Sequence, residues 1–104
     1  MIRKAFLMRL EPGHQEEYER RHDPIWPELQ LVLQQHAVHN YSIFLDRGTD
    51  RLFGYAEIES EELWQQITET DTCRRWWSYM KELMQTNADD SPVVLALDEV
   101  FHLD

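Results

Sequence analysis

Tyr18 and His22 lie four residues apart in a polar, helix-forming segment, so both rings project from one helical face. The chain then runs Asp23-Pro24-Ile25-Trp26-Pro27. Its two prolines frame the histidine at the close of its helix and fix the direction of the chain after it. An imidazole with an ordinary pKa near 6.5 gives and takes protons at neutral pH, which makes His22 a candidate general acid–base. The competing reading is a helix-end charge that complements the dipole. Trp76 and Trp77 are adjacent, and neighbours on a helix point about 100° apart. One indole can then face the core while the other faces elsewhere. A flat ring beside a pocket suits the apolar C–H face of a sugar or another flat ligand. Against this stands a plainer reading, with both rings in the core. Tyr41, in Asn40-Tyr41-Ser42, reads either as core or as a rim residue with a hydrogen-bonded hydroxyl, and so does Tyr55. Trp26 and Trp64 read as packing.

Other chemistries find little support. His36 and His39 straddle a helix-to-strand junction and share no helical face, while His14 and His102 sit in a polar turn and near the last strand's end. No His/Cys/Asp/Glu grouping has metal-ligand spacing. Cys73 is the single cysteine, without a pattern that argues for a nucleophile, and the serines lack a nucleophile elbow. Three glycines leave little room for a phosphate loop, and nothing indicates a cofactor. With 20 acidic residues against 10 Lys and Arg, the formal charge is −10. Nucleic acid and anionic membranes would be repelled, whereas a neutral ligand meets no such penalty. The N-terminal apolar run is too short for a signal peptide, no stretch would span a membrane, and one cysteine forms no internal disulfide. These features point to a cytoplasmic protein.

The elements that must position these residues follow from pattern. The length of 104 residues implies a single domain over 1–104. Residues 2–10 read as a strand, Glu11-Pro12-Gly13 as a turn and 14–22 as a helix. Pro27 opens a second helix, with Leu29, Val32, Leu33 and His36 at helical spacing. Residues 38–46 and 51–59 read as a hairpin. Tyr41, Ile43 and Leu45 share one face of its first strand, and Leu52, Gly54, Ala56 and Ile58 one face of its second. Ser60 with Glu61-Glu62 starts a third helix. Asp71 is the expected cap of a fourth over 72–84, and after a polar loop at 85–91 a last strand is expected over 93–103.

The order β-α-α-β-β-α-α-β predicts an α+β, ferredoxin-like fold with a four-stranded antiparallel sheet and helices on one face. Several strands are apolar on both faces, as at Ile43-Phe44-Leu45, Leu52-Phe53 and Val93-Val94-Leu95. Helices cover one face of such a sheet, and a second copy of the same sheet is the simplest cover for the other. A homodimer with sheets face to face is therefore expected.

Several of these segments are also familiar. Tyr18-Glu19-Arg20-Arg21-His22-Asp23-Pro24-Ile25-Trp26-Pro27-Glu28-Leu29 closely resembles the signature of L-rhamnose mutarotases. So do His39-Asn40-Tyr41-Ser42-Ile43-Phe44-Leu45-Asp46, Thr70-Asp71-Thr72-Cys73-Arg74-Arg75-Trp76-Trp77 and the tail Glu99-Val100-Phe101. The resemblance runs the length of the chain. It implies a dimeric ferredoxin-like protein that interconverts the α and β anomers of the neutral sugar L-rhamnose without a cofactor. It also implies that His22 matches the family's proton donor, that Tyr18 and Tyr41 match its substrate-binding tyrosines, and that Trp76 and Trp77 match its substrate-binding tryptophans. Ring opening needs a proton at the ring oxygen and one removed from the anomeric hydroxyl, by a tyrosine, a water, or His22 through a water. Two other readings stay in view: a cofactor-independent monooxygenase of the dimeric ferredoxin-like type, and a non-catalytic sugar-binding module.

Overall fold

The computed structural model describes residues 1–104. The elements in order are β1 (Ile2–Arg9), α1 (Gln15–Arg21), α2 (Pro27–Gln35), β2 (Val38–Asp46), β3 (Arg51–Ile58), α3 (Glu61–Ile67), α4 (Asp71–Met80), a 3₁₀ turn (Lys81–Leu83) and β4 (Leu95–Leu97). The strands form one antiparallel sheet in the order β2-β3-β1-β4. That strand order, with two helical crossings, is the expected ferredoxin-like α+β arrangement.

Period-two alternation decides which face each strand buries. Along β3, Leu52, Gly54, Ala56 and Ile58 are buried, while Phe53 and Tyr55 point the other way. Phe6 and Met8 of β1 join the buried side. Two apolar clusters fill the space between sheet and helices. Phe6, Met8, Leu10, Tyr18, Leu52, Met80, Leu83 and Met84 make one; Val38, Ala56, Ile58, Ile67 and Cys73 make the other. Trp64 packs against both. Gly54 makes room for a neighbour: a Cβ there would lie 2.3 Å from the Phe6 ring, which would have to shift.

Two expected boundaries move. The cap of α4 is Thr70, not Asp71: its side chain accepts the Cys73 N–H at 3.2 Å, and Asp71 takes the first helical position, where a carboxylate suits the dipole. The helix stops at Met80, and the 3₁₀ turn then carries Leu83 and Met84 into the core. The last strand is also far shorter than expected. Only Leu95–Leu97 pair, with Ala5–Leu7. Beyond them the tail has no neighbouring strand in this chain, and a two-bond ion pair from Arg3 to Glu99 ties it to β1.

The hairpin contains a feature that pattern did not show. Between His39 and Ser42 the register slips, so Asn40 and Tyr41 together stand opposite Ala56. Asn40 takes a left-handed conformation, φ 47°, which its short polar side chain tolerates.

The sheet's other face is open. Cross-strand partners Phe44, Phe53, Leu7 and Leu95 form an apolar row over all four strands, with Ser42, Tyr55, Ala5 and Leu97 beside it. Phe44 is 66% and Leu95 60% exposed. No helix is long and apolar enough to cross a membrane.

Candidate active site

Between the helices and the sheet lies a cleft of about 1160 Å³. Tyr18, His22, Tyr41, Trp76 and Trp77 all line it. They arrive from three parts of the chain, α1 with its C-terminal cap, β2 and α4, and the reasons are local.

α1 spans two turns and buries a single residue, Tyr18. Most of its polar side chains face water, Arg21 excepted, and its N-terminal end is tied to the β2–β3 loop: Gln15 donates to the Arg47 carbonyl at 3.0 Å and to Asp50 Oδ1 at 2.8 Å. His22 is the C-cap, one turn beyond Tyr18, and the two rings overlap with centroids 4.3 Å apart. Nδ1 of His22 lies 2.9 Å from the Tyr18 carbonyl oxygen. A carbonyl only accepts, so Nδ1 carries a proton and donates it, and Nε2 is the nitrogen left to react. Burial lowers the imidazole pKa below 6.5, partly opposed by that bond to the Tyr18 carbonyl.

The two adjacent indoles separate as helical geometry requires. Trp76 packs against the cluster that holds Tyr18, and Trp77 against the cluster that holds Cys73. Trp76 meets the His22 ring edge-on at 5.2 Å. Trp26 stands edge-on to Trp76 at 5.1 Å and lies against Tyr79 at 5.2 Å, so it buttresses the site from behind without lining the cleft.

Tyr41 reaches the cleft from the sheet, at the register slip in β2. It meets Phe6 edge-on at 6.2 Å and Trp64 at the same distance. The residue is 37% exposed within a recess crowded by protein atoms. That desolvation, with the nearby Cys73 sulfur second, raises its hydroxyl pKa; burial, with Tyr41 second, raises that of Tyr18. Both phenols stay neutral and able to donate a hydrogen bond. Burial likewise pushes the Cys73 thiol up to about 11, which leaves it a poor nucleophile.

The family model for L-rhamnose mutarotase matches residues 3–103. The L-rhamnose mutarotase of Shigella flexneri serotype 5b is 56% identical over 103 residues, 99% of each chain. The chain belongs to the L-rhamnose mutarotase family. The crystal structure of the family's member from Formosa agariphila superimposes with a TM-score of 0.92 at 36% identity, covering 100% of both chains. A putative antibiotic biosynthesis monooxygenase from Nitrosomonas europaea shares the fold alone, with a TM-score of 0.66 at 9% identity over 97% of this chain and all of that one.

Trp64 is the cleft residue that sequence reasoning assigned only to packing. It lines the cleft and lies 6.1 Å from Phe6. Its signal was faint: it shares the apolar stripe of α3 with Leu63 and Ile67, and nothing in the stripe marks one member as reaching an opening. The remaining histidines stand elsewhere. His39 pairs with Glu59 at 2.7 Å, His102 with Asp104 at 2.8 Å, and His36 bonds the Val32 carbonyl at 2.7 Å. No group of three His, Cys, Asp or Glu side chains is placed to hold a metal ion.

Proposed function

We propose that this protein is an L-rhamnose mutarotase in which His22 moves the proton. One observation carries the reading above the others: a half-buried imidazole has its Nδ1 occupied by a backbone carbonyl and is set between a phenol and an indole in the cleft between helices and sheet. Mutarotation opens the pyranose to an open-chain aldehyde, lets the C1 carbonyl turn over, and closes the ring on its other face. In the imidazolium form, Nε2–H of His22 protonates the ring oxygen on opening and Nε2 takes the proton back on closing. The anomeric hydroxyl gives up its proton as C1 becomes a carbonyl, to a water or through one to the now neutral Nε2, and regains a proton by the same route on closure, so the sugar and the imidazole end with the atoms they began with. Low pKa makes the imidazolium the stronger acid for this transfer. Tyr18 orients the imidazole and the sugar, and the neutral Tyr41 hydroxyl binds sugar hydroxyls from the sheet. Trp76 and Trp77 present indole faces to the apolar side of the ring and its 6-deoxy methyl. A neutral substrate accords with an acidic chain.

We further propose that the protein works as a homodimer, the open sheet faces covering each other. The cytoplasm is its proposed compartment, in keeping with one free, buried cysteine.

Saturation-transfer NMR on L-rhamnose measures the rate at which anomers exchange. The protein should accelerate exchange well beyond the buffer rate, and His22→Ala should slow it by about 10²–10⁴-fold, the usual weight of a general acid–base. An unchanged rate in H22A would reduce His22 to a helix-end charge. A protein that binds rhamnose while the anomers exchange at the buffer rate would be a binding module.

A further inference from the structure

His22 closes a helix of seven residues, too short to keep its shape unaided. Its ring is steadied within that helix by the Tyr18 carbonyl and from outside by Trp76. What holds the helix end itself is the neighbouring side chain, Arg21, which is only 11% exposed. Its Nε donates to Glu17 on the same helix at 2.6 Å. Nη1 donates to the Tyr79 backbone carbonyl near the end of α4, and Nη2 to Glu82 in the following 3₁₀ turn at 2.7 Å. The guanidinium carbon also stands 4.4 Å from the centroid of the Tyr79 ring. Tyr79 packs on Trp76, with centroids 5.7 Å apart, and Trp76 meets His22. Arg21 and Tyr79 lie outside the cleft lining, so neither is placed to touch a sugar there.

We propose that Arg21 is a positioning residue: by binding Glu17, the Tyr79 carbonyl and Glu82 together, it clamps the end of α1 to α4 and fixes the His22 imidazole against the Trp76 indole. The inference rests on the mutarotase reading and deepens it. A planar fork with five donors can span three acceptors and lie flat on a ring at once, which an ammonium cannot. α4 is anchored independently by buried Cys73 and Met80, so releasing the clamp frees the end of α1 and leaves the indoles in place. The proton transfer should suffer, and sugar binding should not.

The test uses Arg21→Lys, which keeps charge and stem but loses the fork, and Glu82→Gln, which takes the charge out of one arm at a side chain 66% exposed and leaves a neutral amide oxygen as its acceptor. Arg20→Ala is the control, since Arg20 is 66% exposed and its ion pair, to Glu17, stays within α1. R21K should lower kcat by about 10–10²-fold, the cost of a misplaced reacting group, with KM within about twofold. E82Q should show a smaller loss of the same kind, and R20A none. A second readout does not depend on activity. ¹⁵N NMR of the neutral His22 imidazole should show the Nδ1–H tautomer alone in the wild type and a mixture of tautomers in R21K. Wild-type kcat and a single tautomer in both clamp variants would overturn the proposal, as would a loss confined to thermal stability or an equal loss in R20A. If R21K does not fold, E82Q decides alone, and a wild-type kcat there is fatal. Failure of the unaltered protein to speed anomer exchange would sink the mutarotase reading instead, and the NMR comparison would still judge the clamp.

Discussion

At the scale of residues, an imidazole at a bare helix end and one wedged between a phenol and an indole are different acids. His22 is the second kind, and its spacing from Tyr18 already placed both rings on one helical face. The sequence could not show that Trp76, more than fifty positions away, is the wall against which the imidazole rests. Burial favours the neutral ring, so the folded-state pKa falls below 6.5. Two pH effects follow. The imidazolium is the proton donor, so kcat for anomer exchange should rise as pH falls through neutrality and level off only below 6.5, under the depressed pKa. A rate that instead declines as His22 becomes charged would make neutral Nε2 the reactive form, a base. Stability runs the other way. Between 6.5 and the lower folded-state pKa the unfolded chain binds the proton more readily, so stability is full above 6.5 and is lost as pH drops through that window. Glu17, held down to about 2 by hydrogen bonds from Arg20 and then Arg21, acts in the same direction lower on the scale, between its ordinary 4.5 and about 2.

At the scale of elements, the strands and helices were legible because apolar spacing switches between two and nearly four residues along the chain. The boundaries were less so. Thr70 and Asp71 are both good caps, and only the chain's path shows that the threonine hydroxyl meets the Cys73 N–H. The register slip in β2 left no mark beyond an asparagine, yet it falls at the very residue, Tyr41, that carries the sheet's hydroxyl into the cleft. Gly54 looked like one more member of an alternating strand. In the fold it makes room for Phe6, whose ring touches both Tyr41 and Trp64. Gly54→Ala should therefore act at a distance. The added methyl pushes the Phe6 ring toward the cleft, at a cost of about 1–3 kcal/mol for an overpacked core. Chemical denaturation should register that loss, and KM for rhamnose should rise because the floor beneath Tyr41 has moved. A G54A protein with unaltered stability would show that the Phe6 ring has room to yield.

At the scale of the whole molecule, the helical layer and the cleft occupy one side of the sheet, and the other side ends in water. Alternation predicted apolar residues on both faces, and the register turns that prediction into a surface: Phe44, Phe53, Leu7 and Leu95 in a line, one from each strand. A row like this across a sheet is far more apolar than an exposed face ordinarily is, and a two-fold axis through it would lay each row on its copy. The long final strand expected from sequence bears on the same point. Residues 98–104 include Val100, 94% exposed, and Leu103, 81% exposed, yet pair with no strand of the chain. Phe53 is the residue to change, because it sits on β3 in the interior of the sheet and points away from the cleft. Sedimentation should give two copies of the 12.6 kDa chain for the unaltered protein and a single copy for Phe53→Glu, since a carboxylate at the centre of an apolar contact would be buried without a partner. The variant should still fold, because its own core lies on the opposite face. An unaltered protein that sediments as one copy would mean that the open face meets water and that its apolar row serves something other than self-association.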